Sequence, residues 1–538
     1  MDKIIIYQVL PRLFGNKNHT RKVGGTVAEN GCGKFNNFTP SVLKGLREAG
    51  YSHVWYTGVI RHATMTDYSA FGIPCQHPAV VKGQAGSPYA IADYYDVDPD
   101  LAKDVDHRME EFEKLVGRTH RAGLKVIIDF VPNHVARQYK SIAKPEGIRD
   151  LGEDDDPTKG FDPVNNNFYY CPGQAFTPYF DLYHGETEPY TEFPAKATGN
   201  DHFDNAPGRN DWYETVKLNY GVDYYAGGTG HFSPVPSTWG KMLDILLFWA
   251  AKGIDGFRCD MAEMVPAEFW TWATARVRVK FPHIIFIGEV YNPGLYRRYL
   301  QAGFDYLYDK VGMYDAMRDV ICHRRTTEAI TWAWQQTDDI RQHMLYFLEN
   351  HDEQRIASDF FAATGEKAVP ALVVNALMQQ NPFMVYCGQE WGERGMDQEG
   401  FSGHDGRTTI FDYWSLTPQP SPLTPIYNHV LNIARTEKAV TDGRMFDVMY
   451  VNRQYQRQYA FLRKAGKELL LVVANFDDQP VTMQLMLPDH AFSYLEIREK
   501  AYKAVDLLGG HSTKFVLMRD HYVEIVLPQR GAVVYKLG

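Results

Sequence analysis

The chain has 538 residues, 44% hydrophobic and 23% charged, ordinary values for a globular protein but more length than one hydrophobic core usually covers, so two or three domains are expected unless a large barrel takes most of it. A formal charge of -10, a pI near 6.0 and a mean hydropathy of -0.38 provide neither a basic stripe for phosphates nor a membrane-spanning character, which argues against nucleic acid and membrane as partners. The six cysteines (Cys32, Cys75, Cys171, Cys259, Cys322 and Cys387) are scattered without a CxxC pair or metal-ligand spacing, which fits a reduced compartment.

The first apolar run meets Gln8 almost at once and shows no small-residue cleavage site, so it reads as a strand and a cytoplasmic protein is expected. Short apolar or β-branched runs then recur between helical patterns, the mark of a parallel α/β sheet. Candidate strands are Ile4 to Val9, His53 to Thr57, Leu124 to Val131, Ile254 to Cys259, Ile284 to Val290, Phe304 to Tyr308, Leu345 to Leu348 and Phe383 to Tyr386. Met109, Phe112, Leu115, Val116 and His120, and again Met242, Leu243, Leu246 and Trp249, have the three-or-four spacing of crossover helices with one buried face.

From about Ala136 to Phe232 the rhythm breaks into Asp, Asn, Gly, Pro and Tyr without a period. So long a stretch is rarely an idle loop. Its aromatics (Phe168, Tyr169, Tyr170, Phe176, Tyr179, Phe180, Tyr183) favour an ordered insertion on the strand-end side of a barrel. After about Ala439 the runs become strand-like, as in Tyr459-Ala-Phe-Leu and Tyr522-Val-Glu-Ile-Val-Leu, with no helix of convincing length. The expected architecture is α/β, a (β/α)8 TIM barrel over 1–135 and 233–438, an insertion domain after strand three over 136–232, and a C-terminal all-β sandwich over 439–538.

In such a barrel the active site lies at the C-terminal strand ends. There the sequence places Asp129-Phe-Val-Pro-Asn133-His134, Gly256-Phe-Arg258-Cys-Asp260, Ile287-Gly-Glu289-Val-Tyr291 and Phe347-Leu-Glu-Asn350-His351-Asp352. Any one of these acids suits a helix cap, but four strand ends contributing acids or His to one rim weaken that explanation. Glycosidic cleavage needs one carboxylic acid to protonate the leaving oxygen and one carboxylate to attack or to activate water. With no metal motif, phosphate loop or Ser-His pair in view, acid/base work on a sugar explains Asp260, Glu289 and Asp352 best.

These four motifs resemble those of the α-amylase clan, glycoside hydrolase family 13, as do Tyr7-Gln8-Val-Leu-Pro11-Arg12-Leu-Phe14, Ser87-Pro-Tyr89-Ala-Ile-Ala-Asp93-Tyr94-Tyr95 and Gly388-Gln389-Glu390. The resemblance covers nearly the whole chain. It implies a retaining α-glycosidase acting on α-1,4-linked glucans or maltooligosaccharides through a covalent glycosyl intermediate, with Asp260 as nucleophile, Glu289 as general acid/base and Asp352 holding the sugar hydroxyls of the reacting ring. It also implies that His134, Arg258 and His351 bind that ring or orient the nucleophile, that Tyr89 stacks beneath it, and that Asp129 supports the network. The catalytic carboxyls are expected about 5–5.5 Å apart, with the proton on Glu289. Glucanotransfer or maltosyltransfer by the same triad is the alternative, and a non-catalytic sugar-binding relative a third reading.

Two departures accompany the resemblance. Glu263-Met264 stand where starch-active members often carry Lys-His. Val216-Lys217-Leu218-Asn219 stands where many members have a calcium-binding Asp, although Asn133, a ligand position, is kept. Calcium needs about six to eight oxygens and a lysine only donates, so no cofactor or metal is expected. Instead, the Lys217 amine is expected at the cation position, bonding Asn133 and an insertion carboxylate.

Overall fold

All eight apolar runs become strands of one closed parallel barrel: Ile5–Val9, His53–Tyr56, Lys125–Phe130, Gly256–Cys259, Ile285–Gly288, Tyr306–Tyr308, Met344–Phe347 and Phe383–Tyr386. The computed structural model describes residues 3–182, 188–396 and 405–538. Strands adjacent in the chain are adjacent in the barrel, and the first closes on the eighth with Ile5 opposite Phe383 and Gln8 opposite Tyr386. Their residues are almost all buried on both faces, which is why they read as continuous apolar runs rather than alternating ones. In register, Arg258 pairs with Asp129, so two polar side chains of neighbouring strands share one face.

The crossover helices follow their sequence signals. Thr39 caps the helix Pro40–Ala49 by accepting from the Val42 N–H, and Gly50 ends it at φ 114, where an added Cβ would lie 2.9 Å from Leu431. The helix Arg108–Arg121 buries Phe112, Leu115, Val116 and Thr119. His120 departs from the expected buried face: it is exposed and its Nε2 lies 2.8 Å from Asp255, because the apolar stripe passes through Thr119.

The insertion leaves and re-enters the barrel as a ribbon in which His134–Ala136 runs antiparallel to Thr215–Lys217. Its order comes from aromatic packing: Phe203 stacks on Tyr224 at 4.6 Å and meets Tyr169 edge-on at 5.1 Å. Tyr179 takes no part in that core, being 80% exposed, and Tyr183 lies outside the described residues.

The C-terminal region is a six-stranded antiparallel sheet in the order Arg444–Asp447, Gln458–Ala465, Glu468–Asn475, Ala532–Leu537, Lys500–Asp506 and Ser512–Leu517, with a second ribbon of Val481–Leu487 and His521–Leu527. One short helix, Asp489–Leu495, interrupts it, burying Ala491, Phe492 and Leu495. Two buried cations tie the barrel together beneath this sheet. Arg463 donates to the carbonyls of Met378, Ala439 and Val440, and Lys3 to those of Ala376 and Gln379, so both cations meet the C-terminal end of the helix Val369–Leu377.

Candidate active site

The four strand ends converge as the barrel geometry requires. Arg258, fully buried at the end of strand four, lies among the rings of Trp55, Tyr89 and Tyr308 at 5.2–5.5 Å. Its Nη1 donates to Asp260 Oδ1 at 2.7 Å and sits 3.6 Å from Asp129 Oδ1, while Nη2 lies 2.8 Å from Glu289 Oε2 as an ion contact outside hydrogen-bond geometry. One guanidinium therefore spans three carboxylates. Asp129 also accepts from the Trp55 indole and the Gly58 N–H, and burial pushes its pKa up to about 6 against Arg258.

Glu289 is fixed by two hydrogen-bond donors and an ion contact. It accepts from the Met261 N–H at 2.8 Å and the Tyr291 hydroxyl at 2.7 Å, besides facing Arg258. Met261 delivers its N–H from a left-handed backbone, φ 42, unusual for a side chain of that size. Burial, and after it the Glu289 charge, hold Asp260 well above the usual carboxylate range, with Arg258 opposing. The two acids are therefore held differently, Asp260 by the Arg258 guanidinium and Glu289 by the Met261 N–H and the Tyr291 hydroxyl besides its contact with Arg258.

Asp352 faces the pair across the cleft. Desolvation and then the Glu289 charge raise its pKa to about 7, and solvent tempers that shift because the side chain stays 39% exposed. His351 is oriented behind it: the Gln8 amide donates to Nδ1 at 2.7 Å, leaving Nε2 to meet the Tyr89 hydroxyl and Asp352 Oδ2, the latter at 3.0 Å. Burial holds His351 well below its ordinary pKa and His134 down at about 3, so both rings are neutral at physiological pH.

The cavity between these groups is about 340 Å³. Asp260, Glu289, Asp352, Tyr89 and His134 line it, while Arg258, Asp129 and His351 support it from behind. Several wall residues escaped sequence reasoning: Lys82, ion-paired to Glu214 at 2.9 Å; Trp212, 5.1 Å from the His134 ring; and Met261, Ile410 and Phe411. Trp212 and Glu214 stand only a few residues before Lys217, a motif that was noticed, whereas Lys82 has no periodic signal around it. Arg407 pairs with Asp405 at 3.4 Å, and its charge opposes the upward shift of Asp352 without the side chain lining the cavity. Cys259 is buried and absent from the cavity wall. A larger cleft of about 940 Å³ beside Lys367 and His511 offers no comparable pair: Asp478 is bound by Arg530, and Asp506 accepts from three backbone N–H groups.

At the rim, the buried Lys217 amine bonds Asn133 Oδ1, Asp201 Oδ1 at 2.6 Å and the Met264 carbonyl at 3.3 Å. It joins the end of strand three, the insertion and the loop after strand four.

Residues 8–443 match the α-amylase catalytic domain, and residues 450–538 the α-amylase C-terminal all-β domain. The chain belongs to the α-amylase family. Among family relatives, α-amylase MalA of Haloarcula japonica is 25% identical over 76% of this chain, which spans half the length of that relative. Neopullulanase 2 of Thermoactinomyces vulgaris is 21% identical over 90% of this chain and 71% of its own. The maltogenic α-amylase AmyB of Thermotoga neapolitana superposes with a TM-score of 0.64 at 20% identity, covering 99% and 98% of the two chains, a likeness of α-amylase fold.

Proposed function

We propose that this α-amylase family member is a retaining α-glycosidase acting on α-1,4-linked glucans or maltooligosaccharides. The observation that carries the reading is the single guanidinium of Arg258 reaching both Asp260 and Glu289, with Asp352 across the cavity. Two carboxyls on neighbouring nitrogens of one side chain suit the separation of about 5–5.5 Å of retaining enzymes, rather than the roughly 6.5–9.5 Å that leaves room for water in inverting ones.

In the proposed reaction the Asp260 carboxylate attacks the anomeric carbon while Glu289 gives its proton to the leaving oxygen, forming a glycosyl ester. Water, deprotonated by Glu289, then displaces Asp260 and restores both groups. The leaving oxygen takes the place beside Glu289 Oε1 that the Tyr291 hydroxyl holds in the free site. Asp352 holds the hydroxyls of the reacting ring, which Tyr89 supports by stacking, and His351 orients both of them from behind.

Trp212, Met261, Ile410 and Phe411 make much of the wall apolar, which favours a sugar hydroxyl over water as acceptor, so transglycosylation by the same ester is the second reading. Maltotriose separates the two: glucose and maltose alone indicate hydrolysis, early longer oligomers indicate transfer. Anomer-resolved NMR tests retention in either case.

The calcium position of the family is a poor fit here. Asn133 Oδ1 is engaged by the Lys217 ammonium, which removes an oxygen ligand and repels a second cation. We assign no metal to this junction.

A further inference from the structure

Away from the catalytic mouth, a groove of about 360 Å³ runs between the helix Glu328–Gln336 and the C-terminal sheet. It lies near Arg341, three residues before strand seven begins at Met344, whereas Asp352 follows that strand's other end. The two sites therefore open toward opposite ends of the barrel.

The groove is walled by aromatic faces held in fixed positions. The Trp334 indole N–H donates to Tyr459 and Asp447, which locks its ring. Phe446 lies opposite, with Tyr494 at 5.9 Å and Tyr450 at 6.3 Å. The Arg444 guanidinium covers Tyr494 at 5.1 Å. Even so, Tyr450 and Tyr494 remain 43% and 44% exposed. The rim is polar, with Asp338 and Arg341 paired at 2.6 Å and the Asp447 carboxylate taken up by the Thr331, Trp334 and Tyr459 donors.

We propose that this groove is a second, non-catalytic binding site for an α-glucan chain. A pyranose offers C–H faces that match aromatic rings and hydroxyl edges that match a carboxylate-guanidinium pair. With Arg341 closed on Asp338 the groove favours such a neutral polyol over an anion, and rings that are already fixed lose little freedom on binding. A second copy of the chain would need about 800 Å² of surface per partner, a poor match to a concave slot. One short sugar cannot touch both ends of the barrel but a polymer can, so the groove would hold starch while the cavity cleaves it. This rests on the α-glucan reading above.

The test compares wild type, Tyr450→Ala/Tyr494→Ala and Tyr450→Phe/Tyr494→Phe by native electrophoresis through gels containing soluble starch, alongside maltotriose turnover and gel filtration. The alanine pair is expected to weaken starch retention about tenfold or more while the phenylalanine pair keeps it and maltotriose turnover is unchanged in both. Equal retention of wild type and the alanine pair overturns the groove site, even if maltotriose is cleaved. A wild-type dimer that the alanine pair converts to monomers overturns it in favour of self-association. Absence of turnover on every α-glucan defeats the catalytic reading instead, and the retention comparison still decides the groove.

Discussion

Asp260, Glu289 and Asp129 share one guanidinium, so protonation at this site belongs to the group rather than to any one acid. With Asp260, the proposed nucleophile, held above the usual range and Asp352 at about 7, ionised Asp260 is lost on the acid side well before an ordinary aspartate would protonate. The acid limb of kcat/KM is therefore expected at an apparent pKa clearly above the unperturbed value of about 3.9. A pH-rate profile with its acid limb near 4 refutes this. Asp260→Asn is expected to lower kcat about a thousandfold or more while a maltooligosaccharide still binds, and a variant keeping more than about a tenth of the rate removes Asp260 from the nucleophile's role.

At the scale of elements, the barrel strands were legible because burial on both faces writes them as unbroken apolar runs, and the rim acids because barrel chemistry gathers at strand ends. The cavity wall was not. Lys82, Trp212 and Glu214 come from irregular loops whose side chains meet only after the insertion folds back, and no spacing records that. The contacts of Glu289 were equally hidden, since they depend on a left-handed Met261 and a hydroxyl from Tyr291. Lys217 was readable from its motif, and only its carboxylate partner, Asp201, needed coordinates. Lys217→Met is expected to destabilise the protein by about 2–3 kcal/mol, below the roughly 3–5 for breaking a fully buried pair because Asp201 is 35% exposed. Thermal melting checks it, and the same melts with EDTA should leave wild type unmoved; a drop restored by added calcium places a metal at this junction.

Across the whole molecule, barrel and sandwich meet over buried polar groups as well as apolar ones. Arg463 is 1% exposed and satisfies three carbonyls, so Arg463→Ala leaves them unpaired beside a void and is expected to cost about 3 kcal/mol or more in chemical unfolding, whereas Arg463→Lys keeps a donor and loses less. Equal unfolding midpoints for the two variants would show that those carbonyl contacts add little. The tie made by Lys217 has a different kind of consequence. A dissolved ion holds a site only in proportion to its free concentration and leaves at some rate, so a protein that depends on it inherits the composition of its surroundings. An ammonium carried on the chain has no free concentration and no dissociation rate: it is present once per molecule from the moment the ribbon of His134–Ala136 and Thr215–Lys217 pairs, and dilution cannot wash it out.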